Sequence, residues 1–196
     1  MTKENINTTN EINHIYYPPG GILIWIIIFL ELITFGMAIV AFTLSSNLET
    51  EVFKQSSNQL NLFIGTTNTV LLLLSGYFMA KAIQDIKRED LVRFKSSIVI
   101  TMVLGLLFIV FKCVEYFQKI QQGIFIDTNT FYSYYWFLTL FHLVHVLVGL
   151  VILLLTYYSV KKSNQIILDN IEASGAFWHM CDLIWLLIFP ILYLMN

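Results

Sequence analysis

Charged residues are scarce. Asp, Glu, Lys and Arg make up 12% of the 196 residues, about half their share in an ordinary soluble domain. Hydrophobic residues reach 57%, and a soluble fold of this size cannot hide that much apolar surface. Basic residues are not in excess either: 11 against 13 acidic ones, a net charge of -2, provide no electrostatic footprint for nucleic acid. Cysteine is limited to Cys113 and Cys181, each inside an apolar run, which reads as two buried hydrophobes rather than a disulfide or a ligand pair. Histidine is limited to four residues, His14, His142, His145 and His179, too few for a two-haem cytochrome and a strained supply for one haem.

What the chain does have is five apolar runs, at approximately 22–42, 60–83, 96–117, 131–158 and 173–194. Each can cross about 30 Å of hydrocarbon as a tilted helix. Membrane strands would show alternating segments of about ten residues, and these runs are continuously apolar. The expected fold class is therefore all-α, an integral membrane bundle of five transmembrane helices. The first run follows a polar stretch holding one lysine, with no small-residue cleavage site after it, so that helix is expected to stay in the mature protein. Residues 1–21 read as a polar, flexible tail ending in the turn Pro18-Pro19-Gly20-Gly21, and 22–196 read as one domain without a repeat.

The loops predict an orientation. Lys81, Lys87, Arg88, Arg93 and Lys95 lie between the second and third runs and Lys161 and Lys162 between the fourth and fifth; the other two loops hold only Lys54 and Lys119. The positive-inside bias then puts the N-terminus and both basic loops in the cytoplasm and Asn196 outside.

The ionisable groups within the runs carry the functional information, because each costs roughly 2.5 to 3.5 kcal/mol at the bilayer centre on insertion scales. They are Glu31, Lys112, Glu115, His142, His145, His179 and Asp182. Gly105, Phe108, Lys112, Glu115 and Lys119 share one helical face, as do Glu172, Gly175, His179, Asp182 and Leu186, and His142, His145 and Gly149. Such stripes are expected to face the bundle interior. By rise per residue, Glu31, His145 and Asp182 fall near the middle of their helices and can meet at the midplane. Lys112 either pairs with Glu115 three residues on or snorkels to the outer interface.

Each group also has a plain packing reading. His142 and His145 on one helix form a hydrogen-bonded packing device or, with His179 and Asp182, a metal-ligand set; the first is preferred, since one helix supplies only two ligands. Asp182 and His179 are expected to pair. Glu31, with no basic neighbour on its own helix, reads as a proton-linked or polar-ligand group. Tyr132, Tyr134, Tyr135 and Trp136 at one end of the fourth run, and Tyr157 and Tyr158 at the other, read as interfacial belts. Thr101, Gly105, Gly76 and Ala80 read as small residues that let helices approach, and Pro190 as a kink in the last helix.

A family resemblance appears at these positions. Phe141-His142-Leu143-Val144-His145-Val146-Leu147-Val148-Gly149 and Trp178-His179-Met180-Cys181-Asp182-Leu183-Ile184-Trp185 resemble the two signature helices of subunit III of the haem-copper oxidases. Glu31 within Phe29-Leu30-Glu31-Leu32 resembles that family's buried glutamate, and Asn68 to Ser75 and Glu115-Tyr116 resemble two further family patterns. The likeness spans all five helices. Two departures narrow it. The mitochondrial type has seven helices and a lipid-holding cleft between the first pair and the rest, so five helices resemble the shorter bacterial form, which lacks the first pair that bounds that cleft. Lys112 stands where the family often has glutamine, and Lys112 to Tyr116, Thr128-Asn129 and Phe189 to Tyr193 are more similar to the relatives that accompany bacterial nitric oxide reductase.

The resemblance implies a non-catalytic accessory subunit in a bacterial inner membrane, beside a haem-copper catalytic subunit, with no haem or copper of its own. It further implies bound phospholipid and support of proton uptake. No catalytic or metal-ligating residue is assigned. Glu31, Glu115, His142, His145, His179 and Asp182 are the candidate buried polar, proton-linked or lipid-associated groups, and Gly149, Trp178 and Trp185 the signature packing residues. The rival reading is a stand-alone proton-linked transporter using Glu31 and Asp182, although the paired repeats and broken helices expected of one are not seen. A metal- or haem-binding membrane enzyme is a more distant third.

Overall fold

The computed structural model describes residues 20–162 and 168–195. Most of the 1–21 tail therefore lies outside the described residues. Six helices form among the described residues: α1 Ile22–Leu48, α2 Thr50–Ser57, α3 Leu62–Lys87, α4 Leu91–Gln121, α5 Thr130–Lys162 and α6 Leu168–Tyr193. All but α2 are long and apolar enough to cross a membrane, and there is no strand among the described residues.

The helices outrun the apolar runs because their polar ends are capped. Asn61 accepts a hydrogen bond from the Ile64 amide (3.2 Å), Asp90 from that of Arg93 (3.0 Å) and Asn129 from that of Tyr132 (2.9 Å), each satisfying a donor with no partner inside the helix. At 31 residues, α4 is about 46 Å long and extends beyond the hydrocarbon. The turn from α3 to α4 is tight, with Glu89 at φ 60° and the Asp90 amide bonded back to the Asp85 carbonyl (3.0 Å). Gly20 and Gly21 both have positive φ, as a turn leading into α1 requires.

The centre of the bundle is α6, which packs on α1, α3 and α5, while α3 and α4 form an extensive antiparallel pair. That pair is clasped by the Ser75 hydroxyl donating to the Thr101 carbonyl (3.2 Å) and by the Ser97 hydroxyl donating to Asp85 (3.1 Å). Ala80, expected at such a close approach, is exposed. Pro190 sits inside α6, and the helix runs on to Tyr193. Cys181 is buried as expected, but Cys113 is exposed, one position round α4 from the buried Lys112.

Amphipathic helix α2 has no counterpart among the apolar runs. It buries Phe53, Ser56 and Ser57, and together with the turn after it bonds three long helices. The Ser57 hydroxyl donates to the Leu192 carbonyl (2.9 Å), Asn129 donates to Ser56 (3.0 Å), and the Lys119 ammonium donates to the Gln59 carbonyl (2.8 Å).

Candidate functional site

Two tryptophans on α6 organise the middle of the bundle. The Trp178 ring lies between glycines of two helices: a Cβ on Gly105 would fall 2.6 Å from its Cη2, and one on Gly149 2.9 Å from its Cε3. Its Nε1 donates to the Ser75 hydroxyl on α3 (2.8 Å), so one side chain ties α6 to α3, α4 and α5. Two turns on, Trp185 donates to the Thr69 hydroxyl (3.0 Å) and packs edge-on against Phe108 at 5.0 Å. Both rings are fully buried, with their polar N–H groups satisfied as burial requires.

Beside Trp185, a closed polar cluster joins α4, α5 and α6. The Lys112 ammonium donates to Glu115 Oε2 (3.0 Å) and to Tyr193 Oη (3.1 Å). The Tyr193 and Tyr135 hydroxyls both donate to Glu115 Oε1, at 2.6 and 2.9 Å. Lys112 and Glu115 are 0% and 1% exposed, so Lys112 pairs and does not snorkel. Its ammonium lies 4.9 Å from the Tyr116 ring centre and 5.1 Å from that of Tyr135, a cation–π box around the charge. The expected stripe on this helix is buried at each of its five positions.

The expected belt at the start of α5 is corrected here. Tyr132, Tyr135 and Trp136 are buried and Tyr134 is half-buried, bonded to Ser45 (3.0 Å). Tyr135 and Tyr193 were the partners missing from the reading of Glu115; the signal was a carboxylate with more acceptor sites than one lysine fills, level with phenols on two neighbouring helices.

The expected meeting of Glu31, His145 and Asp182 resolves into two separate pairs. On the α1–α5 side, His145 Nε2 lies 3.1 Å from Glu31 Oε2. Oε2 has no well-aligned hydrogen bond, so the two atoms lie close without being hydrogen-bonded. His145 Nδ1 lies 2.8 Å from the Phe141 carbonyl; a carbonyl only accepts, so Nδ1 carries a proton. On the α3–α6 side, His179 Nδ1 lies 3.5 Å from Asp182 Oδ2, and Asp182 fits against α3 because Gly76 has no Cβ to meet it.

His142 joins neither pair. It is fully buried among Phe35, Phe108 and Trp185, with neither ring nitrogen hydrogen-bonded. The α6 stripe is also corrected, since it straddles the seam with α3: Gly175 and Asp182 are buried, but His179 and Leu186 are exposed. Among the described residues, no three of His, Cys, Asp and Glu converge on a point where a metal could sit. A cavity of about 340 Å3 lies where the start of α1 meets the end of α5 and the start of α6, lined by Ile24, Leu155, Thr156, Ser159, Asn170 and Phe177 among others.

Fold and site together define a polytopic helical membrane protein whose intramembrane polar residues are used to join helices. The description "Cytochrome c oxidase subunit III" belongs to the family model that matches residues 21–196, and the chain belongs to that family. It is 35% identical over 133 residues to cytochrome c oxidase subunit 3 of Rhipicephalus sanguineus, covering 64% of this chain and 49% of the relative, so it spans about half the length of that protein. It is 28% identical over 174 residues to cytochrome bo(3) ubiquinol oxidase subunit 3 of Buchnera aphidicola, covering 87% and 84%. To the haem-copper oxidase subunit I+III of Aeropyrum pernix it is 26% identical over 180 residues, covering 87% of this chain and 22% of the relative.

Proposed function

We propose that this chain is a non-catalytic accessory subunit of a haem-copper terminal oxidase or nitric oxide reductase complex in a bacterial cytoplasmic membrane. Its N-terminus and basic loops face the cytoplasm, and residues 22–196 act as one domain. The observation that carries this reading is the Trp178 and Trp185 packing against Gly105, Gly149, Ser75 and Thr69: the family's signature residues are spent on holding helices together. The catalytic partner supplies haem and copper. The Aeropyrum relative, whose name joins subunits I and III, supports a partner of that class.

Three finer assignments have their own support. For lipid, the cavity combines apolar walls with Thr156, Ser159 and Asn170 at helix ends, the level of a headgroup. For proton uptake, the Glu31–His145 pair sets a protonatable imidazole beside a carboxylate that is 24% exposed. For the nitric oxide reductase branch, its distinguishing residues are used: Lys112 pairs with Glu115 and Asn129 caps α5.

The test is oxidase turnover in native membranes with the gene deleted and restored. An accessory role requires that the catalytic subunit still turn over without this chain and lose activity faster during sustained turnover; restoration with Glu31→Gln should restore assembly but alter the duration or the pH profile of activity. A stand-alone transporter would instead drive proton-coupled uptake in vesicles containing this chain alone. Glu31 and Asp182 belong to two separate pairs, which gives that reading no shared site.

A further inference from the structure

The α6 face between α1 and α3 turns an ionisable side chain outward from the middle of a membrane-crossing helix. His179 is 43% exposed, as are Leu183 (47%), Leu186 (42%) and Leu187 (44%) around it. These residues fall in one arc of α6. On one side of the arc lie Gly175 and Asp182, against α3; on the other lie Ala173 and Phe177, toward α1 and α5. His179 is about 2 Å along the axis from the middle of α6, within a helix long and apolar enough to cross a membrane. Ionisable residues at this depth face a bundle interior or a polar partner, and acyl chains offer none.

Within the chain, His179 is under-used. Its Nδ1 has Asp182 at 3.5 Å, and Asp182 Oδ1 is buried without any hydrogen-bond partner. With the Nδ1 proton directed to the carboxylate, Nε2 presents a lone pair on the outward side. That ring nitrogen calls for a donor, and a transmembrane helix can bring one to mid-membrane depth on a hydroxyl or amide side chain.

We infer that the α6 face carrying His179, Leu183 and Leu186 is the surface on which a transmembrane helix of the haem-copper catalytic subunit docks, with a hydroxyl or amide donor of that helix bonded to His179. This rests on the accessory-subunit reading for the identity of the partner. The leucines supply apolar packing, and His179 fixes depth and register, since only one rotation of the partner helix meets its nitrogen.

The test is photo-crosslinking in native membranes, with a benzophenone amino acid at Leu183 or Leu186 and, as controls, at Val110 on α4 or Val151 on α5, both exposed. His179 stays intact, so folding is not at issue. The expected result is an adduct between the α6 positions and a haem-copper catalytic subunit, with lipid adducts from the controls. Lipid adducts alone from α6, an adduct to a second copy of this chain, or a catalytic-subunit adduct from α4 or α5 and not α6 would overturn the docking assignment and leave the accessory reading standing. A protein adduct from α6 lacking haem would overturn the partner's identity and the accessory reading together. In a second measurement, differently tagged wild-type and His179→Leu chains compete for limited catalytic subunit. Wild type should be favoured about three- to twentyfold, the range expected for one intramembrane hydrogen bond, and His179→Gln, which retains an acceptor, should restore most of the loss. An even ratio for His179→Leu would overturn the role given to the histidine.

Discussion

Replacing Glu115 by leucine should be the most damaging single change among the intramembrane charges, and replacing Lys112 along with it should recover much of the loss. Glu115 receives three hydrogen bonds, from Lys112, Tyr135 and Tyr193, in a site with 1% exposure. At about 0.6 kcal/mol for an average intramembrane hydrogen bond, those three amount to about 2 kcal/mol. The larger effect is the ammonium left behind: breaking a buried pair from one side costs about 3 to 5 kcal/mol, because the remaining charge has no counterion, whereas exchanging both partners for apolar side chains is often close to neutral. Glu115→Leu should therefore lower stability by roughly 3 to 5 kcal/mol and Lys112→Met/Glu115→Leu by at least 2 kcal/mol less. The assay is reversible unfolding of the purified chain in mixed micelles, followed by helical circular dichroism, as a double-mutant cycle. Additive effects below about 1 kcal/mol per site would refute the buried-pair argument.

Other outcomes follow from single contacts. Gly105→Ala places a methyl group 2.6 Å from the Trp178 ring edge, which cannot yield between two helices, so stability should fall by about 1 to 3 kcal/mol; an unchanged melting temperature would mean that Trp178 is not confined. Glu89→Gly relieves a left-handed backbone at φ 60° and should stabilise the α3–α4 turn by about 1 kcal/mol, detectable as a raised unfolding midpoint. Asp182→Asn should weaken the chain in detergent more than Glu31→Gln does, because Asp182 is the more deeply buried of the two; the reverse order would count against it. Reporter fusions at Arg88 and Lys161 should both report cytoplasm, and a periplasmic signal from either would reverse the proposed orientation.

The five long helices were legible because an apolar run of about 20 residues admits few other structures. Helix α2 was not, since Thr50–Ser57 is too short for a periodic signal to stand out and is held mainly by contacts with other helices. On α4 the spacing correctly grouped Gly105, Phe108, Lys112, Glu115 and Lys119, because that helix has neighbours along one whole face. The same spacing misplaced His179 on α6, where α1, α3 and α5 leave one arc uncovered and the boundary of the buried arc depends on where α1 and α3 sit. Tyr135 looked like a belt residue by type and position; its hydrogen bond to Glu115 depends on a helix 20 residues away in sequence. Whether Lys112 pairs or snorkels was undecidable from one helix alone, because Tyr193 and Tyr135 come from two others.

The central claim, that this chain serves a haem-copper catalytic subunit, is tested most directly by purifying the tagged full-length chain from its native membrane in mild detergent, identifying what accompanies it and recording the haem spectrum. The account predicts a haem-copper catalytic subunit in fixed proportion to the tagged chain, with the haem absorbance following that subunit when the two are separated. A chain that purifies alone, under conditions in which oxidase complexes of the same membrane stay intact, or that retains a haem after separation, would contradict it.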